Sequence, residues 1–216
     1  MPIFVELFLL ALLWVLYFLI HSLFASLWVK RILAQHLPTL IPWYRLLYNL
    51  LALILIIPPL YMLWSYRSEP LWQWQGSMAW LAYTIMTVSL AGFIWSMRYY
   101  DSREFLGISQ LQRQQQEVKD LEQLHISPLH RFVRHPWYSL GLLLIWVQDM
   151  DPARLVTAIC VTCYLALGSR LEEKKLLLFH GDTYRYYQQR VPGLIPRPWR
   201  YLSRKETERL LEDKKT

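Results

Sequence analysis

Two short stretches of this sequence hold side chains able to recognise a charged small molecule. The first, Arg131-Phe132-Val133-Arg134-His135-Pro136-Trp137-Tyr138, combines cations, an imidazole and a phenol. The second, Arg170-Leu171-Glu172-Glu173-Lys174-Lys175, adds two adjacent carboxylates. Between them stand uncharged runs at 136–148 and 155–169, separated by the turn-like Asp149-Met150-Asp151-Pro152. This pattern predicts a tight helical hairpin. At a rise of about 1.5 Å per residue, His135 and Glu172 return to depths of about 21 and 30 Å on the same side of the turn. Arg134, His135, Tyr138, Glu172 and Glu173 are therefore expected together, and Pro136 adds a break that frees backbone groups to face a ligand. Cations, a phenol and two carboxylates in an apolar wall suit a zwitterionic cofactor. Taken singly, the same residues have plainer uses. Arg131, Arg134, Lys174 and Lys175 are commonly interfacial anchors, a Glu-Glu-Lys-Lys run is commonly a solvated helix face, and Trp137, Tyr138, Trp199 and Tyr201 suit an aromatic belt.

The elements that must position these residues are apolar. Of 216 residues 55% are hydrophobic and 18% charged, which is wrong for an ordinary soluble domain and opposite to the disordered pattern. Uncharged runs at 7–29, 46–66 and 70–97 are each long enough to cross a bilayer core of roughly 30 Å. With the hairpin they predict an all-α, polytopic membrane bundle of about five transmembrane helices, followed by cytoplasmic C-terminal helices. The expected organisation is N-terminal spans over 1–97 (about 3–29, 46–66 and 77–97), a cytoplasmic connection over 98–133, a hairpin and cofactor-binding catalytic region over 134–200, and a charged tail over 201–216. The connection is polar and rich in glutamine (Gln112, Gln114, Gln115, Gln116), and the tail from Lys205 is expected as an exposed or frayed helix.

Of the 23 Lys and Arg residues, all but Arg67 and Arg154 fall in loops of one parity. That asymmetry is the positive-inside pattern, with the N-terminus outside and the C-terminus cytoplasmic. It also accounts for the net charge of +7 without nucleic acid, for which no groove-reading motif is present. No Gly-rich phosphate loop marks a soluble Rossmann domain. The two cysteines, Cys160 and Cys163, lie in an apolar run, so they support neither a disulfide framework nor a four-ligand zinc site, and no metal is expected. Inside the first span, His21 and Ser22 are polar groups of the kind that face a bundle interior.

The string RHPWYSLG, followed after a hairpin by LEEKKLLLFHGDTYRYYQQRVPGLIPRP, resembles the C-terminal pattern of the isoprenylcysteine carboxyl methyltransferase-like superfamily. The elements in common are an Arg-His-Pro-x-Tyr motif, a Glu-Glu pair, Phe179-x-Gly181-x-x-Tyr184-x-x-Tyr187, and Val191-Pro192 through Pro196. Weaker similarity in His21-Ser22-Leu23-Phe24-Ala25, Tyr44-Arg45-Leu46-Leu47-Tyr48-Asn49 and Phe105-Leu106-Gly107-Ile108-Ser109-Gln110 points to the bacterial NnrU and methanethiol S-methyltransferase-like branch. At one point the sequence departs from the pattern: Leu140 stands two residues after Tyr138, where many relatives have Gly, and Gly141 follows.

The resemblance implies an enzyme of the bacterial inner membrane that uses S-adenosylmethionine. It assigns cofactor contacts to Arg134, His135, Pro136 and Tyr138 from one side and Glu172 and Glu173 from the other, with Tyr184 and Tyr187 closing the pocket. Thiol activation would fall to His135 or Arg134. A small or lipophilic methyl acceptor, a thiol before a carboxylate or a lipid amine, would enter from the bilayer past His21, Ser22 and Arg45. Two other classes remain. One is a nicotinamide-dependent reductase of related fold, against which Trp137 stands where those enzymes usually have Asn. The other is a scaffold subunit without catalysis.

Overall fold

The computed structural model describes residues 2–114 and 124–212. It is all-helical, as expected: the only strand-like pairings among the described residues are the isolated bridges Trp72 to Met150 and Arg197 to Arg200. Helices run α1 Ile3–Ala25, α2 Leu27–His36, α3 Tyr44–Ser65, α4 Gly76–Met97, α5 Ser102–Leu106, α6 Ile108–Gln112, α7 Pro136–Trp146, α8 Pro152–Arg190 and α9 Arg204–Glu212, with 3-10 turns at Pro38–Trp43 and Pro128–Arg131. Gln115 and Gln116 and the last residues of the tail lie outside the described residues.

Among the described residues, four helices are long and apolar enough to cross a membrane: Ile3–Ala25, Pro38–Ser65, Gly76–Met97 and Pro152–Arg190. The expected fifth span is α7. Its 11 residues rise only about 16 Å, half of a bilayer core, so α7 does not cross by itself. Along the long helices, side chains such as Trp64, Trp80 and Ile94 are more than two-thirds exposed, which only a hydrocarbon solvent makes favourable. The chain is an integral membrane protein.

The chain divides into two compact units, Met1–Gln73 with Tyr100–Asp120 and Asp149–Val161, and Trp74–Tyr99 with Leu121–Gln148 and Thr162–Thr216. In the first, Leu10, Trp14 and Ala153 form a core with Ile56 and Val156 packed on it, and the Trp14 indole donates to Thr157 Oγ1 at 3.0 Å. The apolar run at 7–29 is divided at Ser26, whose extended backbone ends α1 and whose hydroxyl accepts from the Val29 N–H to cap α2. Asp151 does the same for α8, accepting from the Arg154 N–H at 2.8 Å.

Two segments of the N-terminal resemblance meet in this unit. The Phe105 carbonyl accepts from Arg45 Nε and from Asn49 Nδ2, each at 3.1 Å. Gly107 permits that approach: its φ is +90°, and a Cβ there would lie 2.8 Å from the Leu46 nitrogen. Gly107→Ala is therefore expected to cost about 2 kcal/mol or more, since the left-handed backbone alone costs an L-residue about 1–2 kcal/mol. Gly141→Ala, inside α7 with nothing within 4 Å of the new methyl, should instead be neutral or stabilising by up to about 1 kcal/mol. Thermal unfolding of both variants in one detergent checks the contrast.

The second unit packs α4 against α7. Leu140 fills the notch left by Gly92, whose added Cβ would lie 3.2 Å from Leu140 Cδ2, and the Trp137 indole donates to Ser96 Oγ at 2.8 Å. Leu140 thus serves helix packing. Trp146 closes the hairpin by donating to Thr162 Oγ1 at 2.9 Å. Gly181 interrupts α8 with φ 49° and ψ −123°, and beyond it the chain carries Tyr184 and Tyr187 into a core with Leu124, Leu176, Val191, Leu202 and Leu210. The described part of the tail, expected to be exposed or frayed, is docked instead through α9. Ser203 and Glu206 cap α9 reciprocally, and Thr207 and Leu210, three apart on one face, are buried.

Candidate functional site

The site lies in the second unit and is assembled from three segments. Pro136 at the first position of α7 fixes the turn that follows Val133-Arg134-His135. This segment pairs with the chain leaving α8: the Arg134 N–H donates to the Pro192 carbonyl at 2.8 Å and the His135 N–H to the Gly193 carbonyl at 3.1 Å. Ser139 Oγ lies 2.5 Å from the Leu194 carbonyl. The third segment is the turn of α8 carrying Glu172 and Glu173.

Glu173 is the hub. Arg134 donates to it through Nε and Nη2, both at 2.9 Å, Gln188 Nε2 donates at 2.8 Å, and His135 Nε2 lies 3.0 Å from Oε1. The remaining Arg134 nitrogen, Nη1, donates to the carbonyls of Gln188 and Val191. Arg134 and Glu173 are only 11% and 12% exposed, so this pair is a buried, fully satisfied one. Gly193 leaves room for it, because a Cβ there would lie 3.3 Å from Arg134 Nη2.

The second ring nitrogen of His135, Nδ1, lies 3.5 Å from Glu172 Oε2. A neutral imidazole has one N–H, so two carboxylates facing both nitrogens select the imidazolium. Burial opposes that charge, and the hydrogen bonds and charges of Glu172 and Glu173 outweigh it, holding the His135 pKa above its ordinary value. The Tyr138 ring stacks on His135 at 5.3 Å and 10°, and its hydroxyl faces Glu172. Glu172 itself is 44% exposed. Of the two carboxylates, then, Glu173 is consumed inside the protein and Glu172 is presented outward.

The other expected site residues are placed as follows. Tyr187 is buried and its hydroxyl donates to the His130 carbonyl at 2.6 Å, which ties α8 to the 3-10 turn before the site. Tyr184, 1% exposed, has a buried hydroxyl with no hydrogen-bond partner among the described residues. His21, Ser22 and Arg45 belong to the first unit. There the Tyr48 hydroxyl lies 2.8 Å from His21 Nε2, the Tyr17 ring stacks on His21, and Arg45 is turned to the Phe105 carbonyl. Gln188, Gly193 and Ser139 were not anticipated. Gln188 lies in the Tyr-Tyr-Gln-Gln-Arg string one residue after Tyr187, and only the fold shows that its amide reaches Glu173. Among the described residues no cluster of His, Cys, Asp and Glu is arranged to hold a metal ion.

A second histidine supports the site from below. His130 Nδ1 lies 2.8 Å from Ser127 Oγ and accepts from the Ser127 N–H at 3.3 Å, which requires the unprotonated nitrogen. Burial, then the charges of His125 and His135, lower its pKa to about 4. The unfolded chain takes up this proton near pH 6.5, so between about 6.5 and 4 the unfolded state binds more protons and stability falls as pH falls, by up to about 3 kcal/mol. His135 acts oppositely: its contribution is full below about 6.5 and is lost as pH rises through its raised folded pKa. His130→Gln, which keeps an acceptor for Ser127, should flatten the acid side of the stability profile, measured by unfolding between pH 4 and 7.

No family profile and no solved structure matches the chain. It is 34% identical over 146 residues to methanethiol S-methyltransferase 1 of Bradyrhizobium diazoefficiens, covering 65% of this chain and 50% of that protein. It is 30% identical over 181 residues to methanethiol S-methyltransferase 2 of the same organism, covering 82% of this chain and 68% of that protein. Nurim of Xenopus laevis is 32% identical over 136 residues, 56% of this chain and 46% of that protein. The chain thus spans between about half and two thirds of the length of these relatives. With the helical membrane fold and the ordered motifs, these similarities show that the chain belongs to the isoprenylcysteine carboxyl methyltransferase-like family of membrane proteins, which includes the methanethiol S-methyltransferases and Nurim.

Proposed function

We propose that this protein is a membrane methyltransferase that takes its methyl group from S-adenosylmethionine and transfers it to a small or lipophilic thiol, with carboxylates and lipid amines as less favoured acceptors. The observation that carries the reading is the division of labour between the paired carboxylates: Glu173 locks Arg134 and His135, while Glu172 is offered outward beside Tyr138. The names of the relatives supply the reaction class and favour a thiol.

The residues present fit the cofactor. Glu172 is placed to pair with its ammonium or ribose hydroxyls, and the buried Tyr184 hydroxyl, which lies near Arg134 without a well-formed hydrogen bond among the described residues, is a polar atom that a ligand can satisfy. When bound, S-adenosylmethionine supplies an activated methyl on a sulfonium, so the protein must align an acceptor in line and exclude water. Both His135 nitrogens face carboxylates and every Arg134 nitrogen is bonded, so neither group is free to take up the proton of a thiol, and their part is to shape and position the site. Glu173, Gln188 and Gly193 hold them in place.

The Lys and Arg asymmetry supports a bacterial inner-membrane location with the N-terminus outside and the site at the cytoplasmic face. The lipid bilayer and the methyl acceptor are the proposed partners, and nucleic acid is not. Calorimetric binding of S-adenosylhomocysteine to detergent-purified protein, with NADPH in parallel, tests the reading. Micromolar binding of the first alone is expected. Binding of NADPH alone would replace the methyltransferase with a reductase, and binding of neither by folded protein would leave a scaffold.

A further inference from the structure

The segment that closes the site, 191–202, is held on its inner side by the hydrogen bonds from Arg134, His135 and Ser139 already described, and at its end by Arg131. The Leu202 N–H donates to the Arg131 carbonyl, and Arg131 Nε to the Leu202 carbonyl, both at 2.9 Å. Its outer side is unlike an ordinary water-facing loop. Ile195 is 74% exposed and Trp199 77% exposed, and Trp199 sits at the tip of a tight turn closed by the Arg200 N–H on the Arg197 carbonyl. Phe132 and Tyr201, each half exposed, stack beside it at 5.9 Å.

The charge of the segment is one-sided. Between Val191 and Arg204 the sequence holds Arg197, Arg200 and Arg204 and no Asp or Glu, and the Arg131 guanidinium lies over the Phe132 ring. The level of this surface is set by Ser139, which stands in the first turn of the apolar α7 and holds Leu194. Leu194 is thus held level with the first turn of α7, and Ile195 directly follows it. Aromatic and aliphatic side chains mixed with arginine at that level suit the headgroup boundary of an anionic leaflet. There the rings are buried in the interface and each basic residue adds about 1 kcal/mol of attraction.

We propose that the 191–202 segment is a membrane-surface anchor, with Ile195 and Trp199 inserted into the interface of an anionic leaflet and Arg197 on its headgroups. The bilayer thereby presses the segment onto Arg134, His135 and Ser139. The anchor requires only the membrane setting and is independent of which methyl acceptor the site uses.

The test places a nitroxide at Trp199→Cys in the full chain carrying Cys160→Ala and Cys163→Ala, reconstituted in nanodiscs containing phosphatidylglycerol. Accessibility to oxygen and to a water-soluble nickel chelate is compared with that at Asp182→Cys, a side chain 93% exposed. Position 199 is expected to favour oxygen several-fold over position 182, and to lose part of that preference with Arg197→Ala or in purely zwitterionic lipid. Equal nickel access at 199 and 182 would overturn the anchor. So would low access to both reagents at 199, which would mean that protein covers it. Unfolding curves matching those of the parent chain show that each labelled protein is folded.

Discussion

Replacing Glu173 with alanine is expected to destabilise the protein by about 3–5 kcal/mol and to lower its unfolding temperature by about 10 °C. The carboxylate is nearly buried and accepts from Arg134, Gln188 and His135 together, so its loss leaves the guanidinium without its counter-charge and the imidazolium with only the more exposed Glu172. Like charges in that setting repel more strongly than in water, and neither can be rehydrated without opening the 191–202 segment. Glu173→Gln should cost less, because an amide oxygen still accepts one of these donors while the charge is lost. Circular dichroism during heating in a fixed detergent gives both numbers. An alanine variant as stable as the parent would mean that the Arg134, Glu173 and His135 cluster does not hold the fold together.

Much of this cluster was legible because helical rise is regular. Two apolar runs around Asp149-Met150-Asp151-Pro152 were enough to bring His135 and the Glu pair to one end, and the proline at the first position of α7 marked where the helix starts. The division between the two carboxylates was not legible. Adjacent residues on a helix point about 100° apart, so one of the pair must face inward, but which one depends on where Gln188 and Gly193 return after the break at Gly181. The spacing of Tyr184 and Tyr187 showed one helical face without showing what that face meets. It meets Leu202 and Leu210 of the tail, whose docking rests on two buried positions in an otherwise charged helix. The length of α7 was also hidden. An uncharged run of 13 residues reads as a membrane segment, whereas the helix inside it covers 11 residues and ends at Trp146.

Glu172→Gln is expected to separate binding from folding, lowering affinity for S-adenosylhomocysteine about 10- to 100-fold while leaving the unfolding temperature within a few degrees of the parent. The binding effect follows from losing a charge-assisted hydrogen bond to the ligand's ammonium group, worth about 1.5–3 kcal/mol. The small stability effect follows from exposure: at 44% exposed and 3.5 Å from His135, Glu172 forms a solvent-screened pair of the kind that contributes about 1 kcal/mol or less. A third readout ties the two together. Glu172 is one of the two carboxylates that raise the His135 pKa, so the substitution should bring that pKa down toward the ordinary imidazole value, followed by the ring proton or nitrogen resonance during a pH titration. Unchanged ligand affinity with a lowered His135 pKa would show that Glu172 faces His135 alone, and the cofactor contact would then have to be sought at Tyr138 and Tyr184. A loss of stability as large as that expected for Glu173→Ala would show that the two carboxylates share the structural load, contrary to the division their burial indicates.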